Sequence, residues 1–267
     1  ICTLVNPGKG GSWSFAEGDP PISYTAAEIG LPKAVNKYYS AQLKLNHGTE
    51  KMNYSLAYVW GQSYGNFEGA VKSDITQADA GITQDFDFPA LMDGAYGFLP
   101  NDRRHSFKFY GNYEFKENWN VGWNTSLTSG RPLSRFGKGY PSNDPSVFGS
   151  YGDTFWLFTN NCNTAGVIAP CTGAEPQDAK IYSYLPRGRN GRTPWLFNLD
   201  ASLGYQFQTG NVDWTANMGV YNLLNIQEPV MTVEHAETEE GIANQFYGST
   251  YYWQQPRHFR FSIEARF

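Results

Sequence analysis

The last eleven residues, Arg257-His258-Phe259-Arg260-Phe261-Ser262-Ile263-Glu264-Ala265-Arg266-Phe267, alternate without a break. Phe259, Phe261, Ile263, Ala265 and Phe267 fall on one side, and His258, Arg260, Ser262, Glu264 and Arg266 on the other. A period of two belongs to a β-strand, whereas helical spacing would mix the two sets. One face is wholly apolar and the other carries two arginines, a glutamate and a histidine. A strand of about 9–11 residues, apolar toward lipid and polar toward a lumen, crosses an outer membrane when tilted. The stretch therefore reads as the closing strand of a transmembrane β-barrel, with Phe267 at the periplasmic rim. An amphipathic strand on a soluble sandwich is the commoner source of such a pattern, so the rest of the chain has to decide.

Six further segments repeat the pattern. Tyr39, Ala41, Leu43 and Leu45 share one side of a strand expected over about 37–46. Met52, Tyr54, Leu56, Tyr58 and Trp60 do so over 52–64, after a turn at His47-Gly48-Thr49-Glu50. Phe107, Phe109, Tyr113 and Phe115 mark a third strand, and Trp119, Val121, Trp123, Thr125 and Leu127 a fourth beyond Lys116-Glu117-Asn118. Phe197, Leu199, Ala201, Leu203, Tyr205 and Phe207 give a fifth. Val212, Trp214, Ala216, Met218 and Val220 give a sixth after Gln208-Thr209-Gly210-Asn211. The opposite faces, with Lys108, Glu114, Asp200, Asp213, Arg260, Glu264 and Arg266, would line a lumen.

Connections alternate between turns of about four residues and loops of about thirty to sixty. Three such loops would be anomalous in a compact soluble domain. Short periplasmic turns and long extracellular loops are the rule in outer-membrane barrels. Aromatic residues gather where strands meet turns, at Phe115 with Trp119 and at Phe207 with Trp214, as an interfacial girdle does. The fold class is therefore all-β: a transmembrane antiparallel barrel, of which this chain supplies about seven strands. Because single-chain bacterial barrels have even strand numbers, seven implies the C-terminal part of a larger barrel. The opening residues, Ile1-Cys2-Thr3-Leu4, carry no leader pattern, in keeping with the later part of a longer precursor.

Composition agrees. The chain of 267 residues has no apolar run long enough for a membrane helix. Aromatics are high at 16% and charges low at 17% for a soluble chain. A net charge of −5 gives no nucleic-acid footprint. Cys162 and Cys171 lie nine apart in a Gly-, Pro- and Asn-rich loop and are expected to pair as a disulfide, leaving Cys2 unmatched. Zinc is the competing reading, without a CxxC or a neighbouring histidine to support it.

The run Leu99-Pro100-Asn101-Asp102-Arg103-Arg104-His105, followed by Ser129-Gly130-Arg131-Pro132-Leu133, resembles the Oar-like branch of TonB-dependent outer-membrane receptors. So do Leu185-Pro186-Arg187-Gly188, Gly191-Arg192-Thr193-Pro194-Trp195, Tyr221-Asn222-Leu223-Leu224-Asn225, and Gln255-Pro256-Arg257-His258 running into the closing strand. The resemblance spans about residue 30 to the end and rests on the order and spacing of the motifs. It implies a 22-stranded barrel in the outer membrane of a Gram-negative bacterium, with an N-terminal plug and a box that engages TonB. It further implies energised uptake or passage of a ligand, and recognition of the last strand by the barrel assembly machinery. Plug and box would lie upstream of this chain. An autotransporter-type translocator and a non-transporting adhesion barrel are the alternatives.

No catalytic constellation stands out: His47, His105, His235 and His258 have no local partners, and GxSxG, HExxH and phosphate-cradling loops are missing. No cofactor is expected. Asp74, Asp79, Asp85 and Asp87 could hold Ca2+ through carboxylate oxygens, although a solvated loop is the simpler reading. Glu234, Glu237, Glu239 and Glu240 are likewise expected on soluble surface. Arg103, Arg104 and Arg131, at loop–strand boundaries, are candidates for binding lipopolysaccharide phosphates. Tyr140, Tyr151, Phe155, Trp156, Tyr251, Tyr252 and Trp253 could stack on a ligand, with loop-on-loop packing the plainer role.

Overall fold

The structure, a computed structural model, describes residues 8–13, 20–79, 83–142, 152–159 and 182–267. The expected Cys162–Cys171 pair lies outside the described residues, as do Cys2 and Tyr151. Two short strands open the chain, β1 (Gly11–Trp13) and β2 (Ile22–Tyr24). The wall then runs through β3 (Asn36–Gly48), β4 (Met52–Gly65), a two-residue β5 (Gly97–Phe98), β6 (His105–Lys116) and β7 (Trp119–Thr128). After the small strands β8 (Trp156–Phe158) and β9 (Tyr182–Tyr184) come β10 (Leu196–Thr209) and β11 (Val212–Tyr221). Three short elements follow, β12 (Pro229–Thr232), β13 (Glu237–Glu239) and β14 (Ile242–Ala243), then β15 (Thr250–Trp253) and β16 (His258–Arg266). All seven strands expected from alternation are present.

They form one antiparallel meander in the order β16-β11-β10-β7-β6-β4-β3, with β5 added beside β4. Turn chemistry sets the register on the short-turn side. Asn118 (φ 68°) and Gly210 (φ 61°) take the left-handed backbone that tight hairpins require. The Thr49 hydroxyl accepts from Met52 N–H at 2.9 Å in the third turn. With the turns fixed, side chains sort into rows. Leu43, Tyr58, Phe107, Leu127 and Phe197 stand opposite one another across five strands. Val121, Leu203, Met218 and Phe261 continue the apolar face to the last strand. Asn46, Ser55, Tyr110, Asn124 and Asp200 form a row on the other face, as do Asn112, Gly122, Ser202, Gly219 and Arg260. A one-residue slip anywhere would invert a strand's two faces, so the register is strongly specified. Gly111 interrupts the apolar face, and the Trp123 ring fills its place: a Cβ there would lie 2.6 Å from the indole.

The apolar face is uncovered: Leu43 is 71% exposed, Phe261 72% and Ile263 65%. A continuous apolar sheet face of this extent is a lipid surface and not a water surface. No helix among the described residues is long and apolar enough to cross a membrane. β3 and β16 each have one strand neighbour, and their outer edges end the described sheet.

The hydrophobic core lies elsewhere, in the long connections. Leu31, Phe86, Met92, Ala95, Phe136 and Phe155 form a buried cluster, with Ala26, Ile29, Ala34, Phe67 and Ile75 packed against it. The connections expected as plain loops are therefore a folded cap. It contains a one-turn helix, α1 (Pro89–Met92), a 3-10 turn at Ser73–Ile75 and the pairs β8–β9, β12–β15 and β13–β14. The physical reason is placement. The meander brings all three long connections to one end of the sheet, where each can bury residues that none could bury alone.

Charge on the two wall faces should be tolerated unequally. Leu203→Arg, on the lipid face near the middle of β10, is expected to cost about 2–4 kcal/mol. Thr215→Arg, on the lumen face of β11, should cost well under half of that. Denaturant-dependent refolding into vesicles measures both, and equal costs would contradict the assignment of faces.

Candidate functional site

The cap is assembled around buried charge. Arg187 is fully buried, and its Nε donates to Asp74 Oδ2 at 2.9 Å. Its Nη2 lies 3.7 Å from Asp85 Oδ2, and Lys72 Nζ lies 2.9 Å from Asp85 Oδ1. Lys72 is also fully buried. The Phe155 ring is 5.9 Å from the Arg187 guanidinium, and the Phe136 ring 5.3 Å from Lys72 Nζ. Aromatic faces and carboxylates thus replace the water these cations lose. Burial alone would raise the Asp85 carboxyl, but Lys72 and Arg187 beside it hold it below its ordinary value. Burial would lower the Arg187 guanidinium, and Asp74 and Asp85 more than offset that.

Local sequence puts each group in place. Gly188 takes φ 68° and donates its N–H to Ser134 Oγ at 3.0 Å, while Arg187 N–H donates to the Gly94 carbonyl at 2.9 Å. A Cβ on Gly97 would come within 2.0 Å of the Arg187 carbonyl oxygen, so that close approach needs glycine. Leu185-Pro186-Arg187-Gly188 is thus the segment that inserts the arginine. On the acidic side, Glu68 accepts from Ser73 N–H at 2.5 Å and Ser73 Oγ at 2.7 Å, fixing the 3-10 turn that carries Asp74. Burial and then Asp74 push the Glu68 carboxyl up.

Two further ion pairs tie in the remaining connection. Arg131 Nη2 donates to Glu234 Oε1 at 2.6 Å, and Ser134 N–H to Glu234 Oε2 at 2.5 Å. Burial, only partly opposed by Arg131, pushes Glu234 up to about 8. Asp153 Oδ1 meets Lys138 Nζ at 2.7 Å and His235 Nδ1 at 2.9 Å, and Gln84 donates to Asp153 Oδ2 at 2.7 Å. Burial would raise Asp153, but His235 and Lys138 hold it well below its ordinary value. Glu237 accepts from the N–H groups of Lys138 and Phe158 at 2.8 and 2.9 Å.

Several sequence expectations need correction. Asp74 and Asp85 are buried with cations as partners, while Asp79 and Asp87 are exposed, so the four do not converge on a Ca2+ site. Among the described residues no group of three or more His, Cys, Asp or Glu could hold a metal. Glu234 and Glu237 are buried and not soluble surface, whereas Glu239 and Glu240 are exposed as expected. Arg131 is taken up by Glu234 and is no surface cation. Arg103 donates to the Ser129 carbonyl at 3.1 Å, and Arg104 pairs with Asp102 at 3.0 Å. Phe155 and Trp156 pack within the cap, but Tyr251, Tyr252 and Trp253 stand 51%, 57% and 57% exposed. Tyr140 donates to Asp93 Oδ2 at 3.1 Å, alongside Trp156 Nε1 at 3.0 Å. Burial and then Asp93 push the Tyr140 hydroxyl up to about 12.

Sequence reasoning missed Lys72 as a buried group altogether. The available signal was the apolar density of Phe86, Phe88, Ala90, Leu91 and Met92 within a supposed solvated loop. The remaining motifs also act as fasteners. Thr193 N–H donates to the Arg131 carbonyl at 2.9 Å and Arg131 N–H donates to Thr193 Oγ1 at 3.0 Å, joining Ser129-Gly130-Arg131 to Arg192-Thr193-Pro194. Asn222, at φ 49°, donates to the carbonyls of Ile226 and Gln255 at 2.8 and 2.9 Å, closing the last long connection at its base.

No family model matches this sequence. Over 246 residues the chain is 30% identical to the TonB-dependent transporter Oar of Myxococcus xanthus, covering 90% of this chain and 18% of that protein. The chain therefore spans about a fifth of the length of that relative. The crystal structure of the outer membrane transporter YddB from Escherichia coli superposes with a TM-score of 0.46 at 10% identity, over 95% of this chain and 28% of that one.

Arg187→Ala would leave Asp74 and Asp85 buried with one cation between them, a loss of about 3–5 kcal/mol. The cap should exchange amide hydrogens freely around residues 72–95 while β10 and β11 stay protected; unchanged protection in the cap would refute the keystone role. Acid should act on the same contacts. Asp85 and Asp153 have folded values below their ordinary 3.8, so their contribution is complete above that pH and is lost as pH falls beneath it. Glu234 has the opposite sign, and its share declines as pH rises from 4.5 to about 8. Pepsin cleavage mapped by mass spectrometry should be sparse in the cap at pH 4.5 and should concentrate there, not in the wall, near pH 2.

Proposed function

We propose that this chain, a relative of the Oar-like TonB-dependent outer-membrane transporters, forms part of the wall and extracellular cap of a transporter that takes up or passes a ligand with energy supplied through TonB. The observation that carries the reading is the two-faced sheet. Its apolar face suits lipid, its opposite face is lined with Asn, Ser, Lys, Asp and Arg, and its two edges have no strand partner among the described residues. Inside a bilayer an unpaired strand edge is too costly to persist, so the wall continues into further strands. A barrel of about sixteen or more strands has an interior wide enough for a gated lumen, whereas one of about eight is filled by its own side chains. The plug that gates it, the box that engages TonB and the earlier strands belong, in this reading, to the rest of the protein. β16, ending in Arg266 and Phe267, is the strand offered to the barrel assembly machinery.

The cap contributes capture. Its ion pairs are internal and hold three connections in one shape, which leaves its exposed aromatic side chains to meet solutes. Tyr251, Tyr252 and Trp253, on β15, which precedes the closing strand and pairs with β12, are the residues we assign to first contact.

The test uses cells carrying the whole gene. Wild-type and deletion cells are fed an isotope-labelled mixture of small solutes and peptides, with and without a protonophore, and accumulated label is identified by mass spectrometry. At least one solute should accumulate only in wild-type cells with an energised inner membrane, and should fall severalfold in Tyr252→Ala/Trp253→Ala. Accumulation indifferent to the protonophore, or none that depends on the gene, would defeat the transporter reading.

A further inference from the structure

Where the apolar face of the wall meets the cap, cations gather around one ring. The guanidinium of Arg189 lies 4.8 Å from the centroid of Phe98, that of Arg104 5.0 Å and that of Arg192 5.8 Å. Arg104 also lies 6.0 Å from the ring of Trp60. Among the described residues Asp102 is the one carboxylate bonded into this group: it pairs with Arg104 and, closely, with Arg192, and accepts from Ser63 N–H at 2.8 Å. Arg103 stands near enough that burial, Arg131 and Arg192 all lower its guanidinium. Arg103, Arg104, Arg189 and Arg192 are therefore four cations set against a single acid. Arg189 is exposed, and its side chain makes no hydrogen bond among the described residues. Arg104 Nε is without a hydrogen-bond partner.

The height of this cluster matters. Phe98 pairs with Tyr64 on β4, whose apolar face begins at Met52. Twelve residues at about 3.4 Å each give about 40 Å of strand. A strand tilt of about 35–45° turns that into about 30 Å along the membrane normal, just past the roughly 25 Å apolar band of an outer-membrane barrel. Directly below the arginines lies an aromatic step. His105 stacks on Trp195 at 5.9 Å and on Tyr58 at 6.1 Å, with Trp60 opposite His105 in the register. Proceeding outward, the surface passes from aliphatic to aromatic to cationic, which is the order of acyl chain, interface and anionic headgroup.

We propose that Arg104, Arg189 and Arg192, arranged on Phe98, form a binding site for a phosphate group of an outer-leaflet lipid, the lipopolysaccharide anchor being the headgroup with that chemistry. Arginine suits the role because its planar fork donates two parallel hydrogen bonds to phosphate oxygens. Stacking on Phe98 pre-orients the guanidiniums. Asp102 accepts from Nη2 of both Arg104 and Arg192, and Arg192 Nη1 donates to the Asp102 and Gly130 carbonyls at 2.7 and 3.0 Å, so Arg192 supplies fixed positive charge while Arg189 is left to move onto the ligand. The inference depends on the membrane placement of the wall and not on the transport reading, so either can fail without the other.

The experiment measures diphosphoryl lipid A binding to the full-length protein in mixed micelles by native mass spectrometry. Arg189→Gln, which removes no internal hydrogen bond among the described residues, should weaken binding severalfold, and Arg104→Gln/Arg189→Gln by about tenfold or more. Arg189→Lys should recover part of the loss. Dephosphorylated lipid A should bind the wild-type protein as weakly as diphosphoryl lipid A binds the double variant. Wild-type affinity in Arg189→Gln, or indifference to the lipid phosphates, overturns the proposal. Displacement of the lipid by millimolar inorganic phosphate would also overturn it, by marking a site for free phosphate.

Discussion

In hydrocarbon a backbone amide has only other backbone to bond, and the architecture follows from that constraint. Seven strands exchange hydrogen bonds in one meander, and the tight turns at Glu117-Asn118 and Gly210-Asn211 leave neighbours no freedom to slip. Once register is fixed, alternation becomes a two-sided surface without further specification. Leu43, Tyr58, Phe107, Leu127 and Phe197 align because each is an even number of residues from the other apolar positions of its own strand. The inversion relative to a water-soluble sheet, with Lys108, Asp200 and Arg260 on the face opposite the apolar one, is the same arithmetic applied to a solvent that is apolar outside.

The cap obeys the opposite rule. It lies beyond the lipid, where water competes for every polar group, yet its centre holds Arg187, Lys72, Asp74 and Asp85 almost without exposure. Such a cluster is a poor source of net stability, since desolvation offsets much of the attraction. Its use is discrimination. A purely apolar centre built from Phe136, Phe155, Phe86 and Met92 would accept many packings of three long connections. Arg187 meets Asp74 and Asp85 in only one of them, and Glu234 meets Arg131 and Ser134 in the same one. The wall fixes where the connections start, and the ion pairs fix how they end.

This division explains what the sequence revealed. Strand positions were legible because period two is a property of neighbours: the expected limits of every wall strand fall within a few residues of those found. The cap was not legible because its information is long-range. Asp74 and Arg187 are 113 residues apart, and Ser134 and Glu234 are 100 apart, so neither contact leaves a local pattern. Carboxylates in a polar loop read as solvated or as cation ligands, and the real partners, Lys72 and Arg187, carry no mark of burial in a sequence. Arg131 misled for the same reason, since a strand-boundary arginine looks like a surface cation until Glu234 is brought to it by the third connection.

The motifs that carried the family resemblance turn out to be fasteners. Arg187 with Gly188 inserts the central cation, Arg131 and Thr193 lace two connections together, Asp102 holds Arg104 and Arg192, and Asn222 closes the base of the last connection. Most are engaged internally and have little left to offer a solute, while Arg104 and Arg192 keep part of the guanidinium at the surface. Sequence likeness through these positions therefore transmits architecture, and a ligand must be read by different residues. Exposed groups which no fastener uses include the aromatic row Tyr251, Tyr252 and Trp253 on the cap, and Arg189 beside Phe98. Because neither set supports the fold, either can change with the ligand or the lipid while wall and cap stay as they are.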